Sequence, residues 1–256
     1  ALVAKGQYGK PLPVRTRDEI GKLTASFNDM VAGLKERDFI SNTFGRYVDK
    51  EIARELLSRP EAARLGGEKR QVVILFSDIR GFTPLAETLS PEATIHLVNR
   101  HFSQMIDILE QHHGIIVDFL GDAILAFFDP LDGPLAPTVR RAIRCGLKME
   151  AAVARENTAA SKYPPLQVGI GLHAGEVVVG NIGSESRAKY GIVGAAVNLT
   201  HRIQAQAKGG EVVISDAAYR QIPEEIVVKR AFRATLKGIQ EPTDLYVVKD
   251  LAKPYK

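Results

Sequence analysis

The hydrophobic period of this chain changes character near residue 66, and that change limits the folds open to it. From Ile20 the apolar residues fall at Ile20, Leu23, Phe27, Met30 and Leu34. Steps of three and four mark a helical seam that buries itself against another helix. Thr16 and Glu19 stand three apart ahead of it, as in a capping box, after Pro11 and Pro13, which cannot continue a helix from upstream. The run Lys35-Glu36-Arg37-Asp38 then interrupts the seam. Apolar residues resume at Phe39, Ile40, Phe44, Val48, Ile52 and Leu56 in another register. This is either a phase change within a coiled coil or a charged turn joining two helices. Arg59-Pro60 and Gly66-Gly67 read as a linker into the next domain.

From Gln71 onward, short β-rich runs alternate with helical ones. Val72 to Ser77 has a buried-strand pattern and Pro91 to His112 a helical one. Ile115 to Phe119 and Ala123 to Phe128 form strands about a Leu120-Gly121-Asp122 turn. A helix over Arg140 to Glu156 precedes strands at Leu166 to His173 and Glu176 to Val179. A further helix is expected from Ala196 to Ala207, then strands at Glu211 to Ile214, Ile226 to Arg230 and Leu245 to Val248. This order predicts an α+β fold with helices layered on a mostly antiparallel sheet.

A chain of 256 residues with 45% apolar content can bury a sizeable core. Its 34 basic and 30 acidic side chains leave a net charge of +4 with no block of one sign, which argues against dedicated nucleic-acid binding. The single cysteine, Cys145, excludes a disulfide within one chain and fits a reducing compartment. No apolar run approaches the roughly 18 to 20 residues of a membrane span, and no signal peptide is visible. The chain opens at Ala1 without an initiator methionine, so we expect a piece of something longer.

Two carboxylates carry the candidate chemistry. Asp78 follows a strand pattern and precedes Ile79-Arg80-Gly81-Phe82-Thr83, a glycine-containing turn that can aim backbone N–H groups at phosphate. Asp122 sits in the turn between two apolar strands, where hairpin geometry can bring it alongside Asp78. Paired carboxylates suit two Mg²⁺ ions carrying a triphosphate, because hard cations choose oxygen ligands and keep several waters. Taken alone, each aspartate reads more readily as a local turn residue.

Three segments read together resolve this. Phe76-Ser77-Asp78-Ile79-Arg80-Gly81-Phe82-Thr83, Phe119-Leu120-Gly121-Asp122-Ala123 and Val197-Asn198-Leu199-Thr200-His201-Arg202 resemble, in order and spacing, the class III adenylate/guanylate cyclase catalytic domain. Gly180-Asn181-Ile182-Gly183, Tyr190 and Leu236-Lys237-Gly238 fit as well, and the resemblance runs over residues 68–250. It implies a ferredoxin-like, palm-type sheet with helices packed on it, preceded by the coiled-coil segment. It further implies that Asp78 and Asp122, with the Ile79 carbonyl, hold two Mg²⁺ or Mn²⁺ ions. Asn198 would orient the ribose and Arg202 would stabilise charge on the α-phosphate. Lys237 and the turn Gly81, Phe82 and Thr83 would contact phosphate. Family members place the metal pair on one chain and the Asn and Arg on its partner, which implies a homodimer with composite sites.

Residues 10–34 resemble the second half of a HAMP module through Pro11-Leu12-Pro13-Val14, Asp18-Glu19-Ile20-Gly21-Lys22-Leu23 and Phe27-Asn28-Asp29-Met30. We therefore divide the chain into a partial HAMP module (1–37), a coupling helix and linker (38–67) and a catalytic domain (68–250). The module implies an upstream membrane receptor segment outside this chain and a cytoplasmic setting for the catalytic domain. The run Gly-Gly-Asp/Glu-Glu-Phe of another output domain found after such modules is absent.

The base-reading positions depart from the family. Adenylyl members carry Lys where Asp118 stands and Asp or Thr where Gly191 stands. A carboxylate accepts hydrogen bonds, so Asp118 resembles the Glu by which guanylyl members read guanine, one methylene shorter. Gly191 offers no side chain. Family prevalence sets ATP slightly ahead of GTP. A non-catalytic nucleotide-binding domain is the remaining alternative, and the presence of Asp78, Asp122, Asn198 and Arg202 argues against it. The six histidines show no metal-ligand spacing and are expected to be solvated or at the core edge.

Overall fold

The structure, a computed structural model, describes residues 8–47, 65–131, 133–158, 164–239 and 241–252. The chain divides into two units, residues 1–63 and 64–256. In the first, one helix, α1, runs over Glu19–Tyr47 without interruption. The charged run at 35–38 is thus a solvated turn of one helix and not a joint between two. Lys, Glu and Arg are good helix formers, and neither Gly nor Pro stands there to break the backbone ladder. Asp18 caps α1, not Thr16: its Oδ1 accepts the Ile20 and Gly21 N–H groups at 3.1 Å each and the Thr16 hydroxyl at 2.6 Å. These donors hold the Asp18 carboxyl below the usual range, the Thr16 hydroxyl foremost. The proline-containing stretch lies along α1, with Leu12 and Asn28 exchanging hydrogen bonds of 2.9 and 2.8 Å. Ile20, Leu23 and Met30 of the seam are exposed. The resumed seam at Val48, Ile52 and Leu56 and the Arg59-Pro60 linker lie outside the described residues.

The second unit is built on an eight-stranded sheet. Its elements are β1 (Gly66–Ile79), α2 (Phe82–Glu87), α3 (Pro91–Gln111), β2 (Ile115–Leu120), β3 (Ala123–Phe128), α4 (Leu135–Thr158), β4 (Val168–Ser184), β5 (Arg187–Val193), α5 (Ala195–Gln204), β6 (Glu211–Ser215), α6 (Asp216–Tyr219), β7 (Ile226–Ala234) and β8 (Thr243–Leu251). The strand order is β2-β3-β1-β4-β6-β8-β7, with β5 pairing β4 off this path. The first four strands stand in the order 2-3-1-4 with antiparallel neighbours, the expected ferredoxin-like arrangement. The β4·β6 pairing is parallel.

β1 is covered on both faces, which is why its sequence is a near-continuous apolar run and not an alternation. Val73, Leu75 and Ile79 join Leu97, Met105 and Leu109 of α3 and Ile143 and Met149 of α4 in one core. Val72, Ile74 and Phe76 join Leu125, Phe127, Val177 and Ala196 in the second. The two strands expected at 166–173 and 176–179 are one, β4. Ala174 and Gly175 stay in register with Val73 and Val72, so the backbone ladder carries the strand through them. Among the described residues no helix is long and apolar enough to cross a membrane.

Candidate active site

β1 and β3 pair as far as Ser77 and Ile124, so the end of β1 and the β2–β3 turn emerge side by side. Gly121 turns there in the left-handed region at φ 68°, where glycine carries no steric penalty. Asp122 consequently lies against the strand end, its Oδ2 accepting the Ile79 N–H at 3.1 Å. Burial pushes the Asp122 carboxyl up to about 7, helped by a hydrogen bond with Asp78 and by the Asp78 charge. The expected pair is therefore formed.

Two adjacent carboxyl groups that ionise reluctantly together are a site for positive charge. Among the described residues no cluster of three His, Cys, Asp or Glu side chains could enclose a cation. A cation here could draw on two carboxylates and the strand-end backbone, with its other positions left to water or a substrate's oxygens. That donor set fits Mg²⁺ or Mn²⁺ and fits poorly the closed nitrogen and sulfur sites of structural zinc.

α5 lies across the second face of the sheet and puts Asn198 on the same cavity as Asp78. A cavity of about 360 Å³ is lined by Phe76, Asp78, Leu125, Asn198 and His201, among others. The His201 ring tilts against Phe76 at 4.9 Å between centroids. Arg202, one turn beyond Asn198, lies beside the Leu236-Lys237-Gly238 loop: a Cβ on Gly238 would stand 3.4 Å from its Nη2. Gly238 is at φ 74°, so the loop bends where a side chain would be strained. Arg202 and the exposed Lys237 thus form a cationic group. Among the described residues no ion pair joins them to Asp78 or Asp122.

Asp118 shares a cross-strand row with Leu125 and Phe76, which places it on the cavity side of the sheet. A bulge after Ile116 alters the register there. Its Oδ1 accepts the Phe119 N–H at 2.9 Å and its Oδ2 pairs with Lys189 Nζ at 2.5 Å. Lys189, on β5, was not foreseen. Gly191, two residues on, is buried, and a Cβ there would lie 3.3 Å from Val117 Cγ1. The structure thus brings Asp118 and Gly191 together, with a lysine as a third member. Gly81 takes φ 69° directly after the strand end and caps α2. Phe82 packs against the first core, and Thr83 follows in the first turn of α2.

The histidines correct the expectation in part. His101, His112 and His173 are buried. Burial pushes His101 and His173 down to about 4.

The family of adenylate and guanylate cyclase catalytic domains matches residues 67–250, and the HAMP domain matches residues 3–36. An uncharacterized protein of Mycobacterium tuberculosis is 32% identical over 256 residues, covering 98% of this chain and 46% of the relative. One of Mycobacterium bovis is 34% identical over 254 residues, covering 95% and 42%. The chain thus spans about half the length of these relatives. Among solved structures, the guanylyl cyclase Cya2 is 38% identical with a TM-score of 0.69, over 75% of this chain and 98% of that one. The adenylyl cyclase CyaB from P. aeruginosa is 30% identical with a TM-score of 0.68, over 75% and 100%. A bacterial light-regulated adenylyl cyclase shares the fold over 94% of this chain and 69% of that one, at 21% identity and a TM-score of 0.75.

Proposed function

Because the chain belongs to the adenylate and guanylate cyclase catalytic domain family, with a HAMP domain ahead of that domain, we propose that it converts a purine nucleoside triphosphate to its 3′,5′-cyclic monophosphate and pyrophosphate. The observation that carries this reading is the Asp78–Asp122 pair at the end of β1. Two Mg²⁺ or Mn²⁺ ions held there would acidify the 3′-hydroxyl and neutralise the triphosphate. Asp78 and Asp122 would supply the charge that holds them, with the Ile79 carbonyl as a further, neutral oxygen ligand. Asn198 hydrogen-bonds the ribose and orients the 3′-oxygen. That oxygen loses its proton and bonds to the α-phosphorus as the bond to the bridging β-phosphate oxygen breaks. Arg202 meets the charge that develops on the α-phosphate, Lys237 draws the departing pyrophosphate, and Gly81, Phe82 and Thr83 offer backbone N–H groups near the phosphates.

The family's pattern supports composite sites in a homodimer, with Asp78 and Asp122 from one chain and Asn198 and Arg202 from its partner. Asp78→Ala and Arg202→Ala should each be inactive alone and regain activity on mixing, because one heterodimer site is then intact. No recovery despite demonstrated subunit exchange refutes shared sites. A pure protein that never releases pyrophosphate from ATP or GTP with either metal is a regulatory domain instead. The HAMP match supports a place on the cytoplasmic side of a membrane receptor.

For the base we read ATP: Asp118 accepts from the adenine amino group while Lys189 supplies the donor that adenine N1 requires and a carboxylate lacks. GTP is the second reading, favoured by Asp118 as an acceptor for guanine N1–H. Side-by-side turnover decides between them: Asp118→Lys should move the ratio toward ATP on the GTP reading, and away from ATP on the ATP reading, because the acceptor for the adenine amino group is then lost. An unchanged ratio removes Asp118 from base reading.

A further inference from the structure

Arg80 leaves β1 two residues after Asp78. Its backbone N–H donates to the Gln167 carbonyl at 2.7 Å, which fixes the strand end. Its guanidinium lies directly over Gly169 of β4: a Cβ there would fall 2.2 Å from Nη2, 2.3 Å from Nε and 2.6 Å from Cζ. Only glycine leaves that space. From this seat Nη2 donates to the Gln204 carbonyl at 2.5 Å, and Nη1 stands 4.0 Å from Asp78 Oδ2.

Gln204 is the last residue of α5 and is 2% exposed. Its carbonyl also accepts the Ala207 N–H at 2.9 Å in the turn that ends the helix, so Arg80 adds a second, charged donor at the end where the dipole favours a cation. Its side-chain amide donates to the Gly169 carbonyl at 3.1 Å, so the end of α5 is gripped from both sides. Arg80 Nε is buried without a partner, a cost that simple packing of a long side chain would not require.

We propose that Arg80 is a positioning residue that ties the metal-holding carboxylate Asp78 to the C-terminal end of α5, the helix that carries Asn198 and Arg202. This rests on the two-carboxylate reading above. A planar guanidinium can serve both ends of the tie through separate nitrogens, whereas a lysine ammonium is a single point. Cation binding at Asp78 alters the pull on Nη1, and Nη2 hands the change to Gln204. In a dimer with composite sites, Asp78 works in one site and α5 in the other, so the tie couples the two.

Hydrogen exchange of the full chain with and without Mn²⁺ alone reads this without turnover. In the wild type, Mn²⁺ should slow exchange in the hairpin at 119–123 and in α5. In Arg80→Gln and Gly169→Ala the hairpin response should persist and the α5 response should disappear. Gly169→Ala displaces the guanidinium and leaves every charge in place; should it fail to fold, Arg80→Lys makes the same comparison. Equal α5 protection in wild type and variants overturns the tie, as does a wild type in which only the hairpin responds. If neither segment responds, the two-carboxylate reading falls and the tie with it. In turnover, the variants should raise the Mn²⁺ needed for half-maximal rate about tenfold, with a smaller change in kcat. A lowered kcat at an unchanged metal requirement overturns the tie.

Discussion

Asp122 is held unlike any other carboxylate described in the chain. Its folded-state value of about 7 lies above the ordinary 3.8, so the folded state binds the extra proton and metal-free stability falls as pH rises from about 4 through 7. Asp122→Asn should therefore raise the melting temperature of metal-free protein at pH 8, by about 1 kcal/mol in stability, while abolishing turnover. An unchanged melt shows that the pair carries no strain. His101 and His173 act with the opposite sign. Their folded values near 4 lie below the ordinary 6.5, so the unfolded state binds more protons and stability rises with pH across that window. Each contributes up to about 3 kcal/mol, which outweighs the half-exposed carboxylate below pH 6.5. His101→Leu removes a buried ring whose Nδ1 has no partner, and should flatten the melting curve between pH 4.5 and 6.5. A slope equal to the wild type's refutes this. Asp78 and Asp122 were legible as a pair only because three segments, read together, carry the family's pattern, since each alone reads as a turn residue. Lys189 was not, because its pairing with Asp118 depends on how a strand off the main sheet path is laid.

Elements were legible where burial and period agreed and were misjudged where the two conflicted. The run at 35–38 broke the seam without breaking the helix, since the apolar period reports what a face touches and the backbone follows propensity. β4 was divided at Ala174-Gly175 because neither residue favours a strand, yet β1 holds both in register. β5, with Lys189 and Gly191, escaped notice for the same reason and is held by the β4 ladder. Glycine has a different task beneath α5. A Cβ on Gly171 would lie 2.5 Å from the Gln204 backbone nitrogen and 2.6 Å from its Cα. Gly171→Ala must lift the helix, so we expect about 1–3 kcal/mol of destabilisation and a fall in turnover. A variant that melts and turns over like the wild type shows that α5 is not seated there.

At the scale of the whole molecule, the seam of α1 and the catalytic unit pose one question between them. Ile20, Leu23 and Met30 are 64%, 66% and 52% exposed, more apolar surface than an isolated amphipathic helix keeps at no cost. Deleting residues 1–40 should weaken dimerisation in sedimentation and change the basal rate. An unchanged dimer with unchanged turnover separates the seam from catalysis. The β4–β5 hairpin has a consequence of another kind. It hangs from the far half of β4, outside the seven-strand path, yet it brings Lys189 to Asp118 and Gly191 beside Val117 of β2. On the proposed reading, the Lys189 half of purine recognition can therefore change without touching the strands that carry Asp78 and Asp122. A lineage built on this scaffold could thus retune its messenger at the Asp118–Lys189 contact while its cores and carboxylate pair stay as they are.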